Sequence, residues 1–241
     1  MDGYLGVLYH IFIKDERYML IVNGLLFTLS VTFLAALIGI ILGVILSLMT
    51  ISDFKPFKNV KSDRLSYLRD FNPLTKLALI YITVIRGTPT VVQLFILFNL
   101  VFTGVLETSV FVIAVIGFGL NSAAYVAEII RAGIQGLDKG QMEAARALGM
   151  SYGLSMRVII IPQAVKKIMP ALVSEFIVLF KETSVVGMIG GNDLTKAVRE
   201  IAANSFRAAE PWILAALIYL LLTTLFTYFM RKVEKRLKES D

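Results

Sequence analysis

Three polar residues that could contact a small solute lie within a strongly apolar stretch of the sequence. Asn121, Tyr125 and Glu128 are spaced at i, i+4 and i+7, which places them on one stripe of a helix, with Ser122 beside that stripe. A carboxylate inside a membrane span costs on the order of 2.5–3.5 kcal/mol on insertion scales. Glu128 must therefore face a cavity, a partner or the membrane boundary, and the stripe predicts contact with a polar solute.

An ion pair is the competing interpretation of Glu128. Arg131 follows it by one helical turn, and Arg86 lies at the start of another apolar stretch. If Glu128 pairs with either arginine, the carboxylate fixes helix ends at the membrane boundary and has no part in solute binding.

A second group of charges lies in the apolar stretch 168–189. Glu175 and Glu182 are seven residues apart and so share one helix face, while Lys181 is adjacent to Glu182. Intramembrane charges of this kind predict either a functional acid–base set or a structural ion pair, here Lys181 with Glu182 across a dimer interface. Three uncharged polar residues complete the candidate solute path: Thr28, Thr32 and Gln93. Single polar groups of this kind often only bond neighbouring helices.

The residue inventory argues against catalysis by this chain. A phosphate-binding P-loop requires the dipeptide Gly-Lys, which does not occur in the sequence. With one histidine and no cysteine, hydrolase triads are improbable, and His10 has no neighbouring ligands at metal-binding spacing. We therefore expect neither an enzyme nor a bound cofactor or metal in this chain.

Composition indicates an integral membrane protein. Apolar residues make up 57% of the 241 residues, against about 45–50% in soluble domains. A bilayer core requires about 20 apolar residues per helix, and the sequence predicts five spans within one all-α domain over 1–241: about 19–49, 87–106, 108–130, 168–189 and 211–230. The first apolar run is much longer than a signal peptide, so we expect it to remain in the mature chain.

Basic residues predict the orientation of these spans. They cluster between the first two spans, between the third and fourth, and after the last, whereas the connection 103–109 has none. The positive-inside rule then places the N-terminus outside and the C-terminus in the cytosol. Orientation accounts for the net charge of +6, so no nucleic-acid partner is expected.

A short segment between the third and fourth spans carries a specific motif. Small side chains let a helix approach a partner closely, and glycine permits the φ > 0 of a sharp reversal. The segment 143–162, EAARALGMSYGLSMRVIIIP, resembles the EAA loop of bacterial ABC-importer permeases. Ile161 departs from that pattern, where the family usually has leucine. The residues that carry the resemblance are Glu143, Ala144, Ala145, Gly149, Ile159 and Pro162.

Two other segments resemble the polar amino acid permeases of this family. The run 86–89, RGTP, is similar to their second-span motif, where Pro89 removes a backbone donor and is expected to kink the helix. The run 121–134, NSAAYVAEIIRAGI, is also similar to that subfamily. The linker 50–72 is longer than the family's, and Pro73 after it is expected to open a helix.

The resemblance implies a type I ABC-importer permease in the cytoplasmic (inner) membrane. Such a chain forms a dimer with an identical or closely related subunit, and each coupling loop, here about 138–162, docks on a cytosolic ABC ATPase that uses ATP and Mg. An extracytoplasmic amino-acid-binding protein delivers the solute. Glu143, Ala144, Ala145 and Gly149 are the implied docking residues.

Two other classes of function stay open at this point. An ion-coupled secondary transporter would use Glu128 and Glu175 as proton carriers, but the sequence has no internal repeat. A membrane scaffold or sensor would leave the polar stripe of the third span unexplained. Solute-stimulated ATP hydrolysis by a partner separates the scaffold from the importer.

Overall fold

The computed structural model describes residues 3–58, 69–102 and 109–238. All regular secondary structure in these ranges is helical, which confirms the predicted all-α class. Lys61 and Arg64 of the linker, and the connection 103–108 with the adjoining ends of two predicted spans, lie outside the described residues. The α-helices are α1 (Tyr4–Leu8), α2 (Tyr18–Ile51), α3 (Pro73–Arg86), α4 (Thr90–Ile96), α5 (Val110–Gln135), α6 (Lys139–Ala147), α7 (Tyr152–Ser155), α8 (Ile161–Glu182), α9 (Leu194–Ser205) and α10 (Ala209–Lys238).

Three of the described helices are long and apolar enough to cross a membrane: Tyr18–Ile51, Val110–Gln135 and Ala209–Val233. Helices Pro73–Arg86 and Thr90–Val101 would form a fourth span if they are counted as one broken span. The predicted fifth span, 168–189, overlaps α8 and the 3₁₀ segment Thr183–Ile189. The number of spans and their orientation stay predictions.

The helical conformation is interrupted between α3 and α4, inside the motif RGTP. Gly87 ends α3 by donating its N–H to the Thr83 carbonyl at 2.9 Å, and α4 starts only at Thr90. Pro89 cannot continue a helix because it lacks a backbone donor. A single helix over 87–106 was expected, and the described part instead starts three residues later, with a π segment over Leu97–Val101.

Contacts within the chain cluster into two compact units, and the single domain over 1–241 stays a prediction. The first unit comprises Met1–Leu37, Thr90–Gly119 and Val173–Asp241. Its apolar core depends on α9, which buries Leu194, Val198 and Ile201 at i, i+4 and i+7 against Ile21 of α2 and Ala215 of α10. α9 is therefore an amphipathic helix with one buried stripe.

The second unit, Ile38–Pro89 with Leu120–Leu172, depends on small residues. A Cβ on Gly39 would lie 2.9 Å from the Ser122 side chain, and one on Gly43 would lie 2.6 Å from Val126. Both glycines therefore let α2 approach α5 closely. Asn72 caps α3 by accepting the Thr75 N–H at 3.1 Å, and Pro73 occupies the first helical position, as expected.

Asp193 caps α9 from a fully buried position. Its Oδ1 accepts the N–H of Lys196 at 2.8 Å, while its backbone carbonyl accepts the N–H of Ala197 at 3.1 Å. Among the described residues, Oδ2 has no hydrogen-bond partner. Burial raises the pKa of Asp193 from 3.8 to about 6, although backbone N–H groups of Lys196 and Gly187 oppose the shift.

We predict that Asp193 makes folding stability fall as the pH rises. Its pKa is higher in the folded chain than in the unfolded chain, so its contribution is fully present below pH 3.8 and is lost through pH 6. The loss is on the order of 2–3 kcal/mol, because one pKa unit corresponds to about 1.4 kcal/mol. Thermal unfolding in detergent from pH 4.5 to 8 measures this dependence.

Asp193→Asn keeps an acceptor for the cap and removes the titration, so the slope over this pH range should flatten. Asp138→Asn is the matched control, because Asp138 caps α6 in the same way from an exposed position. The same slope in the wild type and in Asp193→Asn would contradict the prediction.

Candidate functional site

The coupling loop (138–162) contains a short helix with defined ends. Asp138 caps α6 by accepting the Gly140 N–H at 2.9 Å. At the other end the N–H groups of Gly149 and Met150 donate to the carbonyls of Arg146 and Ala145 at 3.0 and 3.1 Å. Gly149 has φ +83°, which confirms the predicted reversal and explains why glycine occupies the position.

Residues of the coupling loop divide between an inner and an outer side. Ala145 is 2% exposed, whereas Leu148 is 83% and Tyr152 is 63% exposed. Glu143 and Ala144 are also exposed. Ala145 was expected in the docking set, but successive helical residues point in different directions, and its methyl group packs within the chain.

Two glycines of the loop have no packing role within the described chain. A Cβ added to Gly149 or Gly153 would meet no atom within 4 Å. The outer side therefore combines small residues with exposed apolar side chains, including Leu154. Such a surface can receive or enter a complementary partner surface.

The polar stripe of α5 is buried at one end and ion-paired at the other. Asn121 and Ser122 are each 2% exposed, and Ser122 lies against Gly39 of α2. Tyr125 and Glu128 are half-buried. The stripe is present as predicted, whereas its contact with solute stays a prediction.

Glu128 forms the ion pairs that the competing interpretation required. Its Oε1 and Oε2 accept hydrogen bonds from Arg131 at 2.6 and 3.0 Å, and its Oε1 lies 3.9 Å from Nη1 of Arg86. The Arg86 guanidinium also lies 5.3 Å from the centre of the Tyr125 ring. Two cations thus neutralise one carboxylate, so the geometry favours a structural role for Glu128.

Thr28 and Thr32 are buried in contacts that hold helices together. Thr28 Oγ1 donates to the Gly24 carbonyl at 2.8 Å and accepts the Leu194 N–H at 3.1 Å. Thr32 Oγ1 donates to the Thr28 carbonyl at 2.8 Å and lies 3.4 Å from the Thr183 hydroxyl. Both side chains, predicted for a solute path, are engaged within the chain.

The other predicted path residues, Gln93 on α4 and Glu175 on α8, are half-buried. Their place in a solute path stays a prediction.

A contact that sequence patterns do not reveal joins α4 to α8. Thr90 Oγ1 donates to Glu182 Oε2 at 3.3 Å, and both residues are half-buried. Lys181 is exposed and, among the described residues, forms no ion pair with Glu182, because adjacent helical side chains point apart. The expected pair across a dimer interface stays a prediction. Ninety-two residues separate Thr90 and Glu182, so only the fold brings them together.

Comparison with solved structures defines the class of protein. An amino acid ABC transporter, solved with histidines, matches with a TM-score of 0.80 and 42% identity, over 93% of this chain and 98% of that chain. The MetNI methionine ABC transporter, at 16% identity, matches with a TM-score of 0.73 over 93% and 99% of the two chains. The fold is that of a type I ABC-importer permease.

The chain belongs to the family described as "Binding-protein-dependent transport system inner membrane component", which matches residues 66–239. It is 43% identical over 222 residues to the arginine transport system permease protein ArtQ of Bacillus subtilis, covering 92% of this chain and 94% of that protein. It is 37% identical over 224 residues to the putative glutamine transport system permease protein GlnP of Rickettsia bellii, with 92% and 95% covered.

Proposed function

We propose that this chain is the permease subunit of an ABC importer that moves polar amino acids across the cytoplasmic membrane. The observation that carries the proposal is the coupling loop: a capped helix, a glycine reversal and an exposed surface of small and apolar residues without internal packing. The named relatives, which are permeases for arginine and glutamine, support amino acids as the solute class.

The proposed assembly contains two permease subunits, identical or closely related, and two cytosolic ATPase subunits that use ATP and Mg. Each coupling loop contacts one ATPase through Glu143, Ala144 and the Gly149 reversal. An extracytoplasmic binding protein supplies the amino acid, which agrees with the binding-protein dependence in the family description. Ala145 supports the loop from its inner side.

Within the assembly, the Thr90–Glu182 contact is proposed as part of the solute path. A half-buried carboxylate with one neutral donor retains its capacity to bind the ammonium or guanidinium group of an amino acid. Asn121, Ser122 and Tyr125 are also proposed as solute contacts, and so are Gln93 and Glu175.

Ion-coupled transport is the weaker reading. Glu128 was one of its two candidate proton carriers, and the carboxylate is held by Arg131 and Arg86. Both guanidiniums therefore occupy the carboxylate as ion-pair partners.

ATP hydrolysis tests the proposal. We predict that the purified chain alone does not hydrolyse ATP, because the sequence lacks the backbone cradle and lysine of a P-loop. Co-expressed ATPase and binding protein should add hydrolysis that amino acids stimulate. ATPase turnover is measured for the lone chain and for the complex in proteoliposomes. Robust hydrolysis by the lone polypeptide, or a complex that no amino acid stimulates, would refute the assignment.

A further inference from the structure

A cationic pocket lies between the C-terminal half of α8 and α10. Its volume is about 540 Å³. Two cationic side chains line it, those of Lys181 and Arg231. The other lining residues are Ile177 and four that carry hydroxyl groups: Thr223, Thr224, Thr227 and Tyr228. None of the described lining residues carries a carboxylate.

The two helices that form the pocket are held together by aromatic rings. Phe226 of α10 packs edge-on against Phe176 and Phe180 of α8, with ring centres 5.3 and 5.6 Å apart. Phe180 also contacts the Tyr219 ring at 5.2 Å. Rigid rings on both helices give the pocket a fixed shape.

Both cations in the pocket lack an acidic partner within the described residues. Lys181 and Arg231 form no ion pair there, whereas Arg131, Arg17 and Arg207 each pair with a carboxylate. An unpaired cation at membrane depth is costly and marks a functional site by default. The pocket can therefore accept an anion.

Two of the four hydroxyl groups in the pocket donate hydrogen bonds to carbonyls of α10, and the other two do not. Thr223 donates to the Tyr219 carbonyl at 2.8 Å, and Thr227 donates to the Thr223 carbonyl at 2.7 Å. Thr224 and Tyr228 donate to no described acceptor. Together with the two cations, they form a set of donors suited to the oxygens of a phosphate.

The surroundings of the pocket fit a phospholipid. Only 6% of the apolar stretch of α10 is buried within the chain, and its exposed side chains include Leu221, Leu225 and Phe229. Arg231 starts the basic run 231–236 at the end of the candidate span. Basic residues that follow a span attract anionic lipids of the cytosolic leaflet.

We infer that Lys181, Thr224, Tyr228 and Arg231 bind the phosphate of an anionic phospholipid whose acyl chains lie along the exposed apolar face of α10. The site is independent of the transported solute and of the coupling loop. An acidic side chain of a second copy would satisfy the same donors, and the experiment distinguishes that occupant from lipid.

The test uses the full chain in nanodiscs of phosphatidylcholine that contain increasing amounts of phosphatidylglycerol. Native mass spectrometry after release counts the phosphatidylglycerol retained by each variant. Lys181→Gln and Arg231→Gln should each lower apparent affinity for phosphatidylglycerol by about fivefold, the effect of one basic contact. Lys181→Arg should restore binding, because it keeps the charge.

Lys232→Gln is the matched control, since it removes the same charge from an exposed residue next to Arg231 that does not line the pocket. If Lys232→Gln lowers the apparent affinity for phosphatidylglycerol as much as Arg231→Gln does, general surface charge explains the effect. That result would overturn the proposed site. Unchanged binding in Lys181→Gln would overturn it as well.

A second copy is tested separately. The chain has no cysteine, so Thr224→Cys introduces a single thiol into the pocket. We expect no disulfide between copies in phosphatidylglycerol nanodiscs. Efficient cross-linking through this thiol would show that another copy covers the pocket and would overturn the lipid assignment.

Discussion

Replacing Gly149 by valine should abolish solute transport while the chain still inserts in the membrane. Gly149 has φ +83° and a Cβ there would meet no atom, so the effect arises from backbone conformation and not from a clash. A left-handed conformation costs an L-residue about 1–2 kcal/mol, and a branched side chain adds to that. The reversal after α6 should therefore relax and displace the docking surface. Transport by the complex in proteoliposomes measures the loss.

Gly190→Val is the control for backbone strain. Gly190 has φ +94° and equally open space, but it precedes α9 and lies outside the coupling loop. If coupling is the cause, Gly149→Val should lose transport and Gly190→Val should lose only stability. Equal loss of transport in the two variants would assign the effect to general destabilisation.

Glu143→Lys tests the same surface without touching the backbone. Glu143 is exposed and has no hydrogen bond or ion pair within the described residues, so charge reversal should leave folding stability unchanged. We expect transport to be lost because the reversed charge faces the ATPase. Normal transport in both Glu143→Lys and Gly149→Val would remove the loop from the coupling pathway.

Local features of the fold could be predicted because neighbouring residues determine them. Pro73 after Asn72 starts α3, and Gly149 ends the loop helix, since cap and turn geometry depends on a few adjacent residues. The spacing of Gly39 and Gly43 also predicts their packing, because two glycines one turn apart leave one face without side chains.

Long-range partners could not be predicted in the same way. Adjacent Lys181 and Glu182 indicate an ion pair in sequence, yet Glu182 contacts Thr90 and Lys181 lines a pocket with α10. Thr28 and Thr32 read as solute contacts, whereas their hydroxyls are used by helix packing. In each case the deciding group lies many residues away, and periodicity carries no information about it.

The carboxylates of Glu182 and Glu128 should respond differently to the same change. Glu182 has one neutral donor, Thr90, whereas Glu128 is held by Arg131 and Arg86. Removing a charged partner from a solute hydrogen bond costs about 1.5–3 kcal/mol. Since each 1.4 kcal/mol is tenfold, Glu182→Gln should weaken transport of amino acids at least about tenfold.

Glu128→Gln is the matched variant, because it makes the same carboxylate-to-amide change where the charge is already paired. It should lower folding stability by leaving Arg131 and Arg86 without their shared partner, and the rank order of solutes should not change. Transport by the complex is measured for cationic, neutral and acidic amino acids, with Asn121→Ala beside the two Gln variants. A solute preference that shifts in Glu128→Gln, with Glu182→Gln unaffected, would move the solute path from the Thr90–Glu182 contact to the stripe of α5.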